Sequence, residues 1–236
     1  VLTRWGTDGQ AIGEPVTLVD STLPINAAFG VGRIGVSDCA VIDDTPDCNR
    51  SEINVFDSDG MLENTFLLEG LVRGFAFSSA GRLVATDGDT VYQWNVDTAD
   101  QLNVVPQQQL TTITAIAVSE DGTRIALGGC GETETDANGL PSCTQGTVTI
   151  HAGGTLLEEA MIGDLNGEVR GLRFTPDSAE IGITTASDIA VYNVSGGAPA
   201  STYDSGSTNN SAITFAPGDS LLVVGDVNGF MYFWTR

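Results

Sequence analysis

Four cysteines, one histidine and three Asp-x-Asp/Asn-Gly stretches are the residues of this 236-residue chain whose types reach beyond packing. Cys39, Cys48, Cys130 and Cys143 allow three disulfide pairings. Local pairing, Cys39 with Cys48 and Cys130 with Cys143, is the expected one, because each pair brackets a short polar segment, "CAVIDDTPDC" and "CGETETDANGLPSC". A tetrahedral zinc site is the rival reading; the spacings are not C-x2-C, and the only histidine, His151, sits in a strand pattern. Two disulfides imply an oxidising compartment, extracellular or periplasmic.

The stretches "DSDG" (57–60), "GDLNGE" (163–168) and "GDVNG" (225–229) carry the side-chain chemistry that opens many calcium loops. Calcium takes six to eight oxygens, and none of the three continues to a later acidic ligand. Asp and Asn before Gly also suit hairpin turns, since they tolerate positive φ. No cofactor is expected, with calcium the one ion these stretches leave open. A catalytic His151 would need a nucleophile or a metal beside it, and a single histidine builds no multi-histidine centre. The chain is expected not to be an enzyme. Asn49, Asn193 and Asn209 are glycosylation candidates by their Asn-x-Ser/Thr context.

Behind these residues lies an acidic chain with a formal net charge of −22 and no lysine; its nine basic residues are all arginine. Such a charge is repelled by phosphate backbones and by anionic membrane surfaces, so neither nucleic acid nor a bilayer is an expected partner. No apolar run is long enough to span a membrane. At 41% hydrophobic residues the chain can still bury a core. The missing lysine, with twenty aspartates, fits adaptation to salt or to a GC-rich genome. No signal peptide is visible, and the opening "VLTRWGTDG" already reads as strand and turn, as in a mature product or a fragment.

The elements that position these residues repeat. First strands read "INAAFG", "VRGFAFSSAG", "ITAIAVSEDG", "VRGLRFTPDS" and "SAITFAPGD". Second strands read "GRIGVSD", "RLVATDG", "RIALGG", "EIGITTA" and "LLVVGD", and third strands "EINVFD", "TVYQWN", "TVTIHA", "IAVYNV" and "FMYFWT". The third strands share one position, held by Phe56, Trp94, His151, Tyr192 and Trp234, and Trp5 fits the same slot. Successive occupants lie 51, 38, 57, 41 and 42 residues apart. The shorter gaps suit a four-stranded propeller blade; the two long ones contain the cysteine loops, between second and third strands.

This pattern resembles the WD40-type β-propeller family over nearly the whole chain, most clearly in "VRGLRFTPDSAEIGITTASDIAVYNV" and "SAITFAPGDSLLVVGDVNGFMYFWTR". The resemblance implies an all-β propeller of four-stranded antiparallel blades, about five in this chain. No Gly-His dipeptide precedes any first strand, so the family's Asp–His–Ser/Thr–Trp network is not expected. The expected divisions are 1–24 (closing or partial blade), 25–70, 71–111, 112–167 and 168–210 (blades) and 211–236 (a final, incomplete blade). Either segment 10–19 completes the last blade, or the chain is the C-terminal part of a larger ring.

In the family's geometry the second-to-third connections share one face. Residues 38–52 and 129–146 would project there as loops, with Asp38, Asp43, Asp44, Asp47 and Glu52 against Arg50, and Glu132, Glu134 and Asp136. That is eight acids against one base, or −7 of the total −22. Asp43, Asp44, Asp47, Glu132, Glu134 and Asp136 are the candidate partner-binding residues, for a basic or calcium-bridged protein. The expected function is a non-catalytic, extracytoplasmic scaffold within a larger assembly. The alternatives are a carbohydrate-binding or calcium-dependent module and a propeller hydrolase.

Overall fold

The computed structural model describes residues 2–5, 10–16, 24–42, 48–107, 109–135 and 139–236. Among them every regular element is a strand. Strands β1 (Leu2–Trp5) and β2 (Ala11–Val16) pair as an antiparallel half-sheet. The first full sheet holds β3 (Pro24–Gly30), β4 (Arg33–Ile42), β5 (Cys48–Phe56) and β6 (Leu62–Glu69). The second holds β7 (Gly74–Ser78), β8 (Arg82–Thr86), β9 (Thr90–Asn95) and β10 (Gln101–Pro106). The third holds β11 (Thr112–Val118), β12 (Arg124–Thr135), β13 (Pro141–Ala152) and β14 (Glu158–Asn166). The fourth holds β15 (Gly171–Phe174), β16 (Glu180–Thr184), β17 (Ile189–Asn193) and β18 (Ser201–Tyr203). The fifth has three strands, β19 (Asn210–Phe215), β20 (Leu221–Asp226) and β21 (Met231–Thr235). Each is an antiparallel meander in chain order.

The repeat read from the sequence is a repeat of register. Phe56, Trp94, His151, Tyr192 and Trp234 each stand opposite the second residue of their neighbouring second strand, Ile34, Leu83, Ile125, Ile181 and Leu222. Those five aliphatic residues in turn face Phe29, Phe77, Val118, Phe174 and Phe215 on the first strands. One residue type sequence therefore places an apolar row across every sheet, because a strand alternates its faces with period two.

The turns between first and second strands explain the "SEDG" and "TPDS" signatures. The Ser119 hydroxyl donates to the Asp121 carboxylate at 2.6 Å and accepts from the Arg124 amide at 2.9 Å. Thr175 repeats this with Asp177 at 2.7 Å and the Glu180 amide at 3.0 Å. Gly122 and Ser178 adopt the left-handed φ that the turn requires, +70° and +61°.

The core lies between the sheets. Ile53, Val55, Phe66 and Leu68 of the first sheet pack with Phe75, Leu83, Ala85 and Trp94 of the second. Val84 and Val91 pack with Ile113, Ile125 and Leu127 of the third, and Val148 and Ile150 with Leu172, Phe174 and Ile181 of the fourth. Ile189 and Val191 pack with Ile213, Phe215 and Leu222 of the fifth. Each such side chain, fully buried, contributes roughly 1.5–3 kcal/mol. Gly35 is what lets the second sheet approach the first, since a Cβ there would lie 2.6 Å from the Phe75 ring.

Polar clasps span the same junctions. Arg33 at the start of β4 reaches Asp97 of the second sheet at 2.7 Å, and Arg82 at the start of β8 donates to the Gly153 carbonyl of the third at 2.5 Å. Glu180 at the start of β16 pairs with Arg236, just past β21, whose guanidinium also sits 5.0 Å from the Phe215 ring centroid.

The first strands contact one another in chain order, β3 with β7, β7 with β11, β11 with β15 and β15 with β19. Their opening residues, among them Asn26, Gly74, Ile116, Arg170 and Ser211, line one cavity of about 240 Å³. Their closing residues, among them Phe29, Phe77, Glu120, Arg173 and Phe215, line a second of about 560 Å³. Among the described residues β2 is paired with β1, and β21 is an edge strand of the fifth sheet.

Candidate functional site: the disulfide-bridged hairpin end

Every second-to-third connection lies at the end where the first strands begin, because each first strand's start is registered against its second strand's finish (Pro24 with Asp38, Gly74 with Thr86, Thr112 with Cys130, Gly171 with Thr184, Asn210 with Asp226). In the second, fourth and fifth sheets the connection is a tight turn. Asp87 holds its turn by accepting from the Asp89 and Thr90 amides at 3.0 and 2.8 Å. Asp226 accepts from the Asn228 and Phe230 amides at 2.9 and 3.0 Å.

In the first and third sheets the connection is extended. Both expected disulfides are present, Cys39–Cys48 and Cys130–Cys143, each with its Cα atoms 5.7 Å apart. Where they are described, the cysteine segments continue the strands: β12 and β13 stay paired out to Thr135 and Pro141, and β4 and β5 out to Ile42 and Cys48. Beyond Gly131 the ribbon of the third sheet is uncovered, with Glu132, Thr133, Glu134 and Thr135 all exposed. Glu132 and Glu134 are exposed there, opposite Gln145 and Ser142. Gly129 is required below them, since a Cβ would fall 1.9 Å from the Thr112 carbonyl oxygen.

Asp43, Asp44, Asp47 and Asp136 lie outside the described residues, as does the side chain of Asn49. Asp38 is buried at the base of the first ribbon and accepts from the Cys39 amide at 2.8 Å, while Glu52 accepts from the Asn54 side chain at 2.9 Å. The ribbons rise from sheets separated by the second sheet, so Glu132 and Glu134 belong to the same end as Cys39–Cys48 but to a different element. Asn193 and Asn209 are both exposed.

Two of the Asp-x-Asp/Asn-Gly stretches, 57–60 and 225–229, form turns, whereas residues 163–166 of the third lie within β14. Asp57 accepts from the Asp59 and Met61 amides at 2.9 and 2.8 Å. Asp164 accepts from the Gln145 side chain. Burial of Asp226 opposes its ionisation, but the Phe230 amide, Ser207 hydroxyl, Asn228 amide and Tyr232 hydroxyl together hold its carboxyl below the usual range. Among the described residues no three His, Cys, Asp or Glu side chains are grouped to hold a metal.

His151 is buried in its slot, with Nδ1 3.1 Å from the Leu156 carbonyl oxygen and Nε2 2.9 Å from the Thr149 hydroxyl. Burial pushes its pKa down, against the Leu156 carbonyl and the charges of Glu158 and Glu159. Both ring nitrogens are thus occupied by structural partners.

Sequence reasoning missed one network. The Tyr92 hydroxyl donates to Asp87 at 3.0 Å and the Tyr232 hydroxyl to Asp226 at 3.2 Å. Each tyrosine stands two residues before the slot tryptophan, and that spacing is the signal that could have found it. No helix among the described residues is long and apolar enough to cross a membrane. No family model matches the chain, and no curated protein matches it either.

Proposed function

We propose that the chain is a WD40-like β-propeller that acts outside the cytoplasm as a non-catalytic platform for another protein. The sheets, meandering in chain order with their first strands around shared cavities, support the propeller arrangement. The two disulfides support an oxidising compartment. The observation that carries the functional reading is the pair of bridged ribbons at one end of the molecule, where the other sheets have tight turns. A pinned ribbon loses less freedom on binding than an open loop. With Glu132 and Glu134 exposed on one of them, the partner they suit is basic. The buried and fully engaged His151 speaks against a catalytic role for the only histidine.

The test is capture of partners from the native extract by the intact chain and by a variant with both ribbons cut back to two-residue turns. The platform reading expects one stoichiometric protein that the trimmed variant loses. Equal capture by both, with the trimmed chain still folded, removes the ribbons from the function.

A further inference from the structure

The first strands end on two tiers of residues around the cavity of about 560 Å³, at the end of the molecule opposite the ribbons. One tier is the set that faces the aliphatic row, Phe29, Phe77, Val118, Phe174 and Phe215. The other lies two residues further along each chain segment: Val31, Ser79, Glu120, Pro176 and Pro217 line the same cavity. Of the ten, only Glu120 is charged, in a chain that holds thirty-one acids. One position before the aromatic tier the strands carry Ala28, Ala76, Ala117, Arg173 and Thr214. Of these, Arg173 alone enters the cavity wall.

Glu120 and Arg173 are both exposed, and among the described residues neither pairs with a charged side chain. Arg33, Arg124 and Arg236 each hold a carboxylate, so the chain's acids are used elsewhere to engage its arginines. Phe29 is 67% exposed in the same wall. The lining is thus apolar and neutral overall, with one open charge of each sign. A simple anion would meet Glu120 as well as Arg173, and the field of a −22 chain would exclude it. The complement is a zwitterion with an apolar body.

The register sets the length of that molecule. Val118 and Phe174 hold one register position on the contacting strands β11 and β15. Glu120 lies two residues beyond it and Arg173 one residue before it, an offset of three residues, or about 10 Å of extended chain. A free amino acid carries its two charges on one carbon, too close together to meet both groups, whereas three residues of extended peptide span the offset. We infer that this cavity binds a short apolar peptide with free ends, its ammonium on Glu120, its carboxylate on Arg173 and an apolar side chain against Phe29. The inference does not rest on the ribbons, whose trimming leaves this end of the molecule untouched.

The test is calorimetry on the intact chain with the tripeptide Ala-Phe-Ala, its N-acetylated form and its C-terminal amide. The free peptide should bind with a millimolar or tighter Kd, and each blocked form about fivefold more weakly. In Glu120→Gln the acetyl group should cost nothing further, and in Arg173→Gln the amide should cost nothing further, with both variants melting as the parent does. The comparison of free and blocked peptides on the parent chain needs neither variant. Free phenylalanine should bind about fivefold more weakly than the tripeptide. No heat at millimolar tripeptide, blocked forms that bind like the free one, or penalties that persist in the variants overturn the inference. Equal binding of phenylalanine also overturns it, by giving the cavity to a single amino acid.

Discussion

The Tyr92 hydroxyl donates to the Asp87 carboxylate at 3.0 Å while its ring lies on Trp94, with centroids 5.7 Å apart and planes 9° from parallel. The turn residue, the tyrosine and the slot tryptophan thereby form one unit, and Asp226, Tyr232 and Trp234 repeat it in the fifth sheet. Burial, and then the bond to Asp87, push the Tyr92 pKa from 10.0 up to about 12. The unfolded chain then loses this proton first, so the stability it represents is intact below pH 10 and is lost as pH rises towards 12. Tyr92→Phe should cost about 1 kcal/mol at neutral pH and should flatten that alkaline loss. Denaturant melts from pH 8 to 11 of both forms check it; parallel alkaline curves would separate the tyrosine from the effect.

His151 gives the acid-side counterpart. Its folded pKa lies below the ordinary 6.5 because burial disfavours the cation. The unfolded state therefore binds the proton first, and stability that is complete above pH 6.5 is lost as pH falls below it. His151→Phe should be less stable at pH 7.5, by about 1–3 kcal/mol for the unpaired Thr149 and Leu156 groups, yet should lose less than the parent between pH 7 and pH 5. The pH dependence of Tm over that window is the measurement, and equal slopes would contradict a buried neutral imidazole.

Gly35→Ala should destabilise by roughly 1–3 kcal/mol through overpacking, since the added Cβ meets Phe75 and Phe77 at 2.6 and 2.9 Å. Phe75→Leu in the same chain should return part of that loss, although alone it is destabilising. Urea melts of the two single variants and the double variant give the coupling; additive effects would mean the first two sheets do not meet at this glycine.

With a net charge of −22, self-repulsion opposes the compact state and salt screens it. Tm should rise steadily between low and molar NaCl. A flat or falling curve would count against salt adaptation as the reason for the missing lysine.

What the sequence made legible is what the repeat enforces. The slot from Phe56 to Trp234 appears in the text because each occupant must sit opposite an aliphatic residue in a covered sheet. The ribbon beyond Cys130 was read as a loop because Glu132, Thr133, Glu134 and Thr135 show no apolar alternation; a two-stranded ribbon wet on both sides has no reason to show one. The Asp87–Tyr92 bond escapes the sequence because, without the family's histidine, the turn aspartate has no expected side-chain partner. The clasps of Arg33 to Asp97 and Arg236 to Glu180 join residues 64 and 56 apart in sequence, and no local pattern records them. The exposure of Met231 and Phe233 is equally silent in the text, since an apolar strand reads alike whether or not a sheet covers it.

The central claim is that the five sheets surround shared cavities, and β3 and β19 test it. Ala27 and Ala212 belong to the first and last of these strands and line the same cavity of about 240 Å³. Sheets stacked in an open row lie about 10 Å apart, which would separate these two strands by roughly 40 Å. All four native cysteines are in disulfides, so an Ala27→Cys/Ala212→Cys variant carries only the two engineered thiols. Treated with a short bis-maleimide at low protein concentration, it should form an intramolecular crosslink in the monomer. Labelling of both thiols without a crosslink would contradict the arrangement.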